Sequence, residues 1–355
     1  MIILGSTGSI GVNTLNIADK FNLNIEVLVA GTNIELLNKQ IEKFKPKKVV
    51  ISKKEDIHKV NHPNVLFGEE AILKVIEESS SKTVVNALVG FLGLRPTLKA
   101  IECGKKIALA NKESLVAAGK FIDQTHLSPI DSEHFALWYL LQDKKISSMT
   151  VTASGGSFRD YPLQKLKNVS IKEALNHPNW AMGNKITIDS ATMTNKMFEL
   201  LEAAWLFDTR KLDAVIETKS LIHALINFED GSSTAHIANA SMQLPIAYAI
   251  LGKCDEQILE PVDLIKVGSL EFREIDKQRY PIWGIKDAIL ENLDLGVVLN
   301  ASNEVAVSKF LNSEIGFLDV SKMNLEALEK FSDVKPNSID DIFEIDKEVR
   351  SFYDS

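Results

Sequence analysis

Two acidic side chains stand two residues apart in the segment SPIDSEHF. They are Asp131 and Glu133. In an extended segment, residues i and i+2 point to the same side, so both carboxylates could meet one cation. Most acidic pairs with this spacing are solvated surface residues. The pair therefore raises the hypothesis of a metal site but does not establish one.

The segment NKITIDSATMTNKMFELLEAAWLF predicts an apolar strand, then Ser- and Thr-rich residues, then a helix. Asn195 and Glu199 are four residues apart and Lys196 and Glu199 are three apart, so they share a helix face, and Glu202 follows one turn on. A lysine and an asparagine at a helix start, with Ser190 just before, are typical of a phosphate-binding corner. A solvent-facing helix with an ordinary Lys–Glu pair explains the segment equally well.

The chain opens MIILGSTGSIG, in which an apolar strand runs into a turn with Gly5, Gly8 and Gly11. The spacing is G-x-x-G-x-x-G, whereas the usual dinucleotide fingerprint is G-x-G-x-x-G. A glycine turn between a buried strand and a helix lets backbone N–H groups and the helix dipole bind a phosphate. Hydroxyl donors are added by Ser6, Thr7 and Ser9. A tight turn without a ligand is the alternative.

The second predicted strand ends at Ala30 and is followed by Gly31, Thr32 and Asn33. In NAD-binding folds an acidic residue at this place binds the ribose diol. No carboxylate stands here, which disfavours NAD and permits NADP. No arginine or lysine stands here either, so the turn alone does not establish NADP.

The segment NHPNWAMGNK places Trp180 and Met182 in a loop between polar residues. Large apolar side chains in such a loop indicate that they cover something, and one interpretation is a lid over a small polar substrate. The alternative is a plain loop that Trp180 anchors in the core. His177 precedes a proline and could simply shape the turn.

The segment ALANKESLV places Lys112 and Glu113 directly after an apolar strand. Open α/β sheets bind their ligands outside the carboxyl ends of the strands, so this lysine is well placed for a ligand. A lone lysine at a strand end is nonetheless usually solvated.

The elements that position these residues predict an α/β protein. Residues 1–130 alternate short apolar strands with amphipathic helices, which predicts an N-terminal Rossmann-like parallel-sheet domain. Residues 131–251 predict a central α+β catalytic domain, with a hairpin turn at Asp230–Gly231. Residues 252–281 predict a linker, and residues 282–355 a small C-terminal α-helical domain. The predicted helices include 10–20, 34–44 and 95–102, and SSMTVTAS and KITIDS are predicted strands.

Composition narrows the class of protein. The chain has 355 residues, 45% apolar and 25% charged, and a formal net charge of −8, which argues against a nucleic-acid partner. Cys103 and Cys254 are too few for a disulfide framework and indicate free thiols in a reducing cytoplasm. No apolar run reaches the roughly eighteen residues that span a membrane. Because the chain begins with a strand, we expect no signal or transit peptide.

Taken together, the motifs resemble one family. The segments occur in the order found in 1-deoxy-D-xylulose 5-phosphate reductoisomerases, and they are GSTGSIG, ALANKESLV, PIDSEH, TASGGSF, HPNWAMG, IDSATMTNK and LNASNE. The resemblance covers nearly the whole chain, and HPNW-x-MG followed by DSATM-x-NK is its most specific part. It implies isomerisation and reduction of 1-deoxy-D-xylulose 5-phosphate to 2-C-methyl-D-erythritol 4-phosphate in the non-mevalonate isoprenoid pathway. It also implies a homodimer that uses NADPH and a divalent cation.

The resemblance implies a role for individual residues of this sequence. The metal ligands, for Mg²⁺ or Mn²⁺, are Asp131, Glu133 and Glu199. The catalytic residues are Lys112, Glu133, His177 and Glu199. The substrate-binding residues are Lys112, Ser132, Glu133, Ser154, His177, Trp180, Met182, Ser190, Asn195, Lys196, Glu199 and His223. The cofactor-binding residues are Gly5, Ser6, Thr7, Gly8, Ser9, Ile10, Gly31, Thr32, Asn33, Asn111, Glu113 and Gly183.

The sequence departs from the family pattern at two places. Many members carry a basic residue where this chain has Thr32, which leaves the NADP phosphate to Asn33, to the backbone of the turn or to Lys39. Many members have His-Pro-Gln-Ser where this chain has Glu217-Thr218-Lys219-Ser220, so no role of that first histidine transfers.

The implied mechanism is a rearrangement followed by reduction. The cation would act as a Lewis acid on the ketone and a neighbouring hydroxyl, and NADPH would reduce the rearranged aldehyde. A retro-aldol step and an α-ketol shift lead to the same product, so both routes stay open.

Two other classes of protein compete with this interpretation. The first is a sugar-phosphate dehydrogenase that performs no rearrangement, which gives no reason for three metal carboxylates. The second is a nucleotide-binding regulator with an inactive site, which gives no reason to keep Lys112, Glu133 and Glu199 together.

Overall fold

The computed structural model of the chain describes residues 1–354. Contacts within the chain divide it into two compact units. The first unit is made of Met1–Ser114, Ile122–Asp131 and Ser241–Leu259, and the second of Leu115–Phe121, Ser132–Ala240 and Glu260–Ser355. The domain limits expected from the sequence stay a prediction.

The first unit is built on a parallel sheet. Its strands are β1 (Ile2–Leu4), β2 (Val27–Ala30), β3 (Lys48–Ile51), β4 (Val65–Phe67), β5 (Thr83–Asn86), β6 (Lys106–Leu109) and β7 (Leu127–Pro129). Their order is β4-β3-β2-β1-β5-β6-β7, and every described neighbour pair is parallel. The Rossmann-like parallel sheet is therefore confirmed. The sequence analysis missed β4 and β7, the two end strands of the sheet, because their residues are partly exposed and form no continuous buried apolar run like that of β1.

An α-helix follows every strand of this sheet except β3, after which the chain forms the 3₁₀ helix Lys54–Lys59. The α-helices of both units are numbered together. In chain order they are α1 (Ser9–Lys20), α2 (Ile34–Phe44), α3 (Glu69–Glu78), α4 (Leu94–Glu102), α5 (Lys112–Ala118), α6 (Ser132–Leu140), α7 (Ile171–Ala174), α8 (Asn184–Thr192), α9 (Thr194–Leu206), α10 (Gln243–Leu251), α11 (Leu264–Val267), α12 (Lys286–Glu291), α13 (Gly296–Leu311), α14 (Phe317–Lys330) and α15 (Ile339–Ser351). Within the first unit, α10 packs against α1.

The second unit contains a mixed sheet. Its strands are β8 (Ile146–Ala153), β9 (Leu212–Glu217), β10 (Ile222–Phe228), β11 (Ser233–Ile237) and β12 (Phe272–Arg273), in the order β11-β10-β8-β9-β12. β8 and β9 are parallel, and the other pairs are antiparallel. The hairpin predicted at Asp230–Gly231 joins β10 to β11, and Gly231 has a φ of +84°. Among the described residues, the C-terminal part after β12 is helical, as predicted.

The segment KITIDS is a helix, so the predicted strand is wrong. It lies in α8, where Lys185 and Asp189 form an i,i+4 ion pair with Nζ and Oδ2 2.8 Å apart. Asn303 of α13 donates to Asp189 Oδ1 at 2.6 Å, and Ile188 is fully buried. Tertiary contacts of one helical face therefore override the strand preference of the alternating β-branched residues.

Residues 1–354 contain no helix that combines the length and the apolar character needed to cross a membrane.

Candidate active site

The glycine turn after β1 is shaped by close backbone packing. Gly5 has a φ of +84°, and a Cβ there would lie 2.5 Å from the carbonyl oxygen of Ala87. A Cβ on Gly11 would lie 2.3 Å from the carbonyl oxygen of Gly5. Gly8 meets no such obstacle and is the exposed N-cap residue of α1. Gly5 and Gly11 are therefore required by close backbone packing. Gly8 is not, and it lies beside the free N–H groups at the start of α1.

The other residues expected around the cofactor differ in exposure. Ser6, Asn111 and Glu113 are buried, Thr7 and Ile10 are half-buried, and the exposed residues are Ser9, Gly31, Thr32, Asn33 and Gly183. The side chain of Asn33 accepts from Leu36 N at 3.2 Å and so caps α2. Ser6 therefore contributes no accessible hydroxyl to the turn.

Two polar residues follow β6. Asn111 Nδ2 lies 2.9 Å and 2.8 Å from two carbonyl oxygens of segment 88–90, and 3.1 Å from Glu113 Oε2. The next residue, Lys112, has its Nζ 2.5 Å from Asp131 Oδ2, and both side chains are mostly buried. Because Asp131 follows β7, this ion pair joins the carboxyl ends of two neighbouring strands, the edge where open α/β sheets bind ligands.

The segment around Asp131 is not extended, contrary to the expectation from its sequence. Helix α6 begins at Ser132, and Glu133 lies in its first turn. A carboxylate at this position is stabilised by the positive end of the helix dipole. The two acidic residues are therefore placed by the start of a helix and not by one face of a strand.

Helices α6 and α9 bring three charged side chains together. Lys196 Nζ lies 2.5 Å from Glu133 Oε1 and also donates to Glu199 Oε2. Carboxylate oxygens of Glu133 and Glu199 lie within 4.8 Å of each other. Asn195 donates to the other oxygen of Glu199. The shared helix face predicted from the spacing of these residues is thus present, and it points into the protein, since Glu199 is 1% exposed.

His134 contacts the helix that carries Glu199. His134 is fully buried, and its Nε2 lies 2.8 Å from the carbonyl oxygen of Glu199. Its Nδ1 lies 3.3 Å from Glu202 Oε2. One imidazole therefore connects α6 to two successive turns of α9 and holds the Glu199 backbone in place.

A second polar cluster contains Ser154, His177 and Ser190. His177 Nε2 lies 2.9 Å from Ser154 Oγ and 3.2 Å from Ser190 Oγ. Gly155 and Gly156 follow, with φ values of +85° and +68°. A Cβ on Gly156 would lie 2.6 Å from the carbonyl oxygen of Ser190. The glycine pair therefore lets the end of β8 approach α8, which sets the two hydroxyls on either side of the imidazole.

The imidazole of His177 is neutral. Its Nδ1 accepts the backbone N–H groups of Trp180 at 2.9 Å and Asn179 at 3.2 Å, so the proton is on Nε2 and points to the hydroxyls. Burial, together with the positive charges of Lys196 and Arg159, lowers the pKa of His177 from 6.5 to about 4. Hydroxyl and N–H donors with two nearby cations can bind a phosphate group.

His223 connects the carboxylate cluster to the HPNW loop. Its Nδ1 lies 3.1 Å from Ser132 Oγ, which donates to Glu133 Oε2 at 2.6 Å. The ring centroids of His223 and Trp180 are 6.2 Å apart, with the planes at 71°. Trp180 is half-buried, as is Met182. The loop therefore places both apolar side chains at a surface rather than in the core.

The turn at Glu217 departs from the pattern of the resembled family. Glu217 is fully buried, and its carboxylate accepts backbone N–H groups of Lys219 at 2.8 Å and Leu221 at 2.7 Å. Ser220 has a φ of +55°, and its Oγ accepts from Asn179 Nδ2 at 2.7 Å. Glu217 thus shapes the turn that the HPNW loop contacts.

Sequence reasoning missed three residues around the site, which are His134, Arg159 and Glu217. The signal for His134 was its place directly after Glu133 in DSEH. Arg159 Nη1 donates to the carbonyl oxygen of Ser154 at 2.8 Å, and the only signal for this arginine in the sequence was its place directly after SGGSF. Glu217 lies within the departure from the family pattern, which gave no positive signal for a structural role.

A parallel sheet with a glycine turn after its first strand is typical of oxidoreductases that use a nucleotide cofactor, and carboxylate oxygens are the donors that hard cations prefer. Three family models match the chain. The model of 1-deoxy-D-xylulose 5-phosphate reductoisomerase matches residues 1–119, and that of the 1-deoxy-D-xylulose 5-phosphate reductoisomerase C-terminal domain matches residues 127–207. The model of the DXP reductoisomerase C-terminal domain matches residues 237–352. The chain belongs to the 1-deoxy-D-xylulose 5-phosphate reductoisomerase family.

Individual relatives agree along the full length of the chain. The 1-deoxy-D-xylulose 5-phosphate reductoisomerase of Nautilia profundicola is 58% identical, covering 100% of this chain and 99% of that protein. The Wolinella succinogenes enzyme is 52% identical, covering 99% of each. A solved DOX-P reductoisomerase in complex with NADPH, fosmidomycin and magnesium is 33% identical with a TM-score of 0.92, covering 99% of this chain and 96% of that one. The Zymomonas mobilis enzyme in complex with NADPH is 32% identical with a TM-score of 0.88, at the same coverage.

The lowered pKa of His177 predicts a pH dependence of folding stability. Between pH 6.5 and about 4 the unfolded chain binds a proton at this residue and the folded chain does not. The contribution of His177 is therefore complete above pH 6.5 and is lost as the pH falls towards 4. Acidification to about pH 5 should cost the wild type about 1 kcal/mol more than it costs His177→Gln, allowing for partial exposure.

Urea unfolding of both proteins at neutral and acidic pH measures this difference. Equal losses in the free energy of unfolding would show that folding does not lower the pKa of His177.

Proposed function

We propose that Asp131, Glu133 and Glu199 bind Mg²⁺ or Mn²⁺ and that the chain converts 1-deoxy-D-xylulose 5-phosphate to 2-C-methyl-D-erythritol 4-phosphate with NADPH. The observation that carries the proposal is the position of Lys196, whose ammonium lies between the carboxylates of Glu133 and Glu199. Two largely buried carboxylates that both contact the Lys196 ammonium form an oxygen-rich donor set, which suits a hard divalent ion. Asp131 precedes Glu133 by two residues, so the chain brings a third carboxylate to the start of α6.

Solved relatives support the choice of cofactors. One was solved with NADPH, fosmidomycin and magnesium, and another with NADPH. When bound, the cation polarises oxygens of the substrate and NADPH supplies the hydride. The residues proposed to contact NADPH are Gly5, Thr7, Gly8, Ser9, Ile10, Gly31, Thr32, Asn33, Asn111, Glu113 and Gly183. Ser6 is fully buried and donates its backbone N–H to Val29, so it supports the turn from within.

The second polar cluster is proposed to bind the substrate phosphate. Ser154, Ser190 and the Nε2–H of His177 converge, and they supply donors. Asn195 and Lys196 stand on the same unit, and the charge of Lys196 acts on His177. Once Glu133 and Glu199 hold a divalent ion, Lys196 is no longer needed to neutralise them and can pair with the phosphate.

The remaining substrate contacts follow from the ion pairs and hydrogen bonds already described. Lys112 is held by Asp131, so its ammonium is oriented at the strand ends and can stabilise negative charge on a substrate oxygen. Ser132 is oriented by His223 and Glu133, and its one hydroxyl proton can turn to a substrate oxygen when Glu133 binds the cation instead. Trp180 and Met182 are proposed to cover the substrate and exclude water.

We further propose a homodimer in the cytoplasm. Strand β11 ends the mixed sheet, and exposed strand edges favour pairing with another chain. Trp138 and Tyr139 of α6, which packs against β11, are 44% and 52% exposed. Cys103 and Cys254 are free thiols, as in a reducing compartment. Light scattering would measure the mass of the assembly.

Replacing one metal ligand tests the proposed cation site. Glu199→Gln keeps the size of the side chain and removes its charge. We expect turnover to fall by at least about a hundredfold because the donor set loses a charged ligand. The rise in Tm caused by Mg²⁺ should also disappear, since a ligand stabilises only the state that binds it. NADPH binding, measured by fluorescence, should persist.

The matched control is Glu291→Gln, which changes an exposed glutamate of α12 in the same unit. It should leave turnover and the Mg²⁺ effect intact. Near-normal turnover of Glu199→Gln at saturating Mg²⁺ would refute the site.

Truncating Trp180 tests the lid. Trp180→Ala should lower kcat/KM for the sugar phosphate by a factor that corresponds to about 2 kcal/mol, with little change in Tm, because the ring is only half-buried. Trp283, which is 6% exposed, provides the comparison: Trp283→Ala should cost about 3–5 kcal/mol of folding stability. Thermal melting and steady-state kinetics of both variants distinguish a lid from a core anchor. A large loss of Tm in Trp180→Ala with unchanged kinetics would identify Trp180 as a core anchor.

A further inference from the structure

The turn after β2 has no charged group for the adenosine ribose of a dinucleotide. Gly31, Thr32 and Asn33 are exposed and uncharged. Folds of this type distinguish NADP from NAD at this place, with a basic residue for the 2′-phosphate or an acid for the diol. The side-chain oxygen of Asn33 already accepts from Leu36 N. The chain therefore needs a cation from another element to bind a 2′-phosphate.

The neighbouring strand supplies one at the same edge of the sheet. Ala30, the last residue of β2, pairs in parallel register with Ile51, the last residue of β3. The residues that follow Ile51 are Ser52, Lys53 and Lys54, all exposed. Adjacent strands lie about 4.8 Å apart, and the four-carbon stem of a lysine can cross that distance. We propose that Lys53 binds the 2′-phosphate of NADPH and so determines the preference of this chain for NADPH over NADH.

The other nearby lysines are engaged elsewhere. Lys39 Nζ lies 2.7 Å from Glu35 Oε1. Lys59 Nζ lies 2.7 Å from Asp56 Oδ1. Lys54 Nζ lies 5.6 Å from the centroid of the Phe67 ring, so it leans towards the end of β4 and away from β2.

Lys53 differs from these three lysines. Within residues 1–354 it forms no salt bridge, although its charge acts on Asp56 over a longer distance. The segment 52–59 carries three lysines against Glu55 and Asp56, which leaves it positively charged. The 3₁₀ helix Lys54–Lys59 begins directly after Lys53 and fixes its backbone beside the strand end.

This inference rests on the proposed function because it assigns one part of the NADPH site. A lysine binds phosphate as a point charge, so the contact should weaken as salt is added. NADH has no 2′-phosphate, so its affinity should not depend on Lys53.

The test measures binding and not turnover. Dissociation constants for NADPH and NADH are determined by fluorescence titration for the wild type and for Lys53→Gln, at low and at high ionic strength. Lys53→Gln should weaken NADPH binding about fivefold to tenfold at low salt, less at high salt, and leave NADH binding unchanged. Lys53→Arg keeps the charge and should retain most of the affinity. Two competitors provide a second comparison. Lys53→Gln should weaken the binding of adenosine 2′,5′-bisphosphate, which has a 2′-phosphate, and should leave the binding of ADP, which has none, unchanged.

The matched control is Lys106→Gln. Lys106 is also exposed and lies in the same unit. It begins β6 and so stands at the amino ends of the parallel strands, whereas Lys53 follows the carboxyl end of β3. It removes the same charge and should change neither affinity. An unchanged NADPH affinity in Lys53→Gln, or equal weakening of both nucleotides, would overturn the assignment to Lys53. A wild type that binds neither nucleotide would instead contradict the proposed function.

Discussion

The acidic cluster of the second unit depends on two largely buried carboxylates that lie beside the ammonium of Lys196. Glu133 and Glu199 share Lys196, and the Glu199 and Lys196 side chains are 1% and 7% exposed. Two carboxylates this close repel each other, and burying both would be unfavourable unless a cation lay between them. The start of α6 and the face of α9 keep the carboxylates together, and His134 ties the two helices to each other. A site held in this way favours additional positive charge, which is the property that a metal-dependent reaction needs.

In the first unit the constraint is the direction of the strands. Every described neighbour pair in the seven-stranded sheet is parallel, so all carboxyl ends lie at one edge. Segments that are remote in sequence therefore lie at the same edge, and they are 5–8, 31–33, 52–54 and 111–113. The strand Ile2–Leu4 is fully buried, as expected for a sheet covered on both faces. The sheet thus supplies the positions, and the loops that follow the strands supply the chemistry.

Much of the fold could be predicted because the strands of the first unit and the amphipathic helices have clear periods. The segment KITIDS was predicted wrongly because Asn303, 114 residues further along the chain, binds Asp189, and a contact this distant in sequence does not appear in a local pattern. The resemblance to a family supplied most site residues, and the structure shows contacts that explain several of them. Glu217 could not be predicted because its role lies in accepting backbone N–H groups. Such a role leaves no signature of residue spacing.

The three glycines of the first turn have different evolutionary consequences. Gly5 and Gly11 are required by backbone atoms that a Cβ would strike, whether or not a nucleotide is bound. A descendant of this chain that lost its enzymatic role but kept its sheet would still be under selection to retain both. Gly8 has no such obstacle, and drift would replace it first. Under the proposed function Gly8 contacts the cofactor, so across diverging lineages the middle glycine of the motif would record the history of cofactor use, while the outer two would record only the history of the fold.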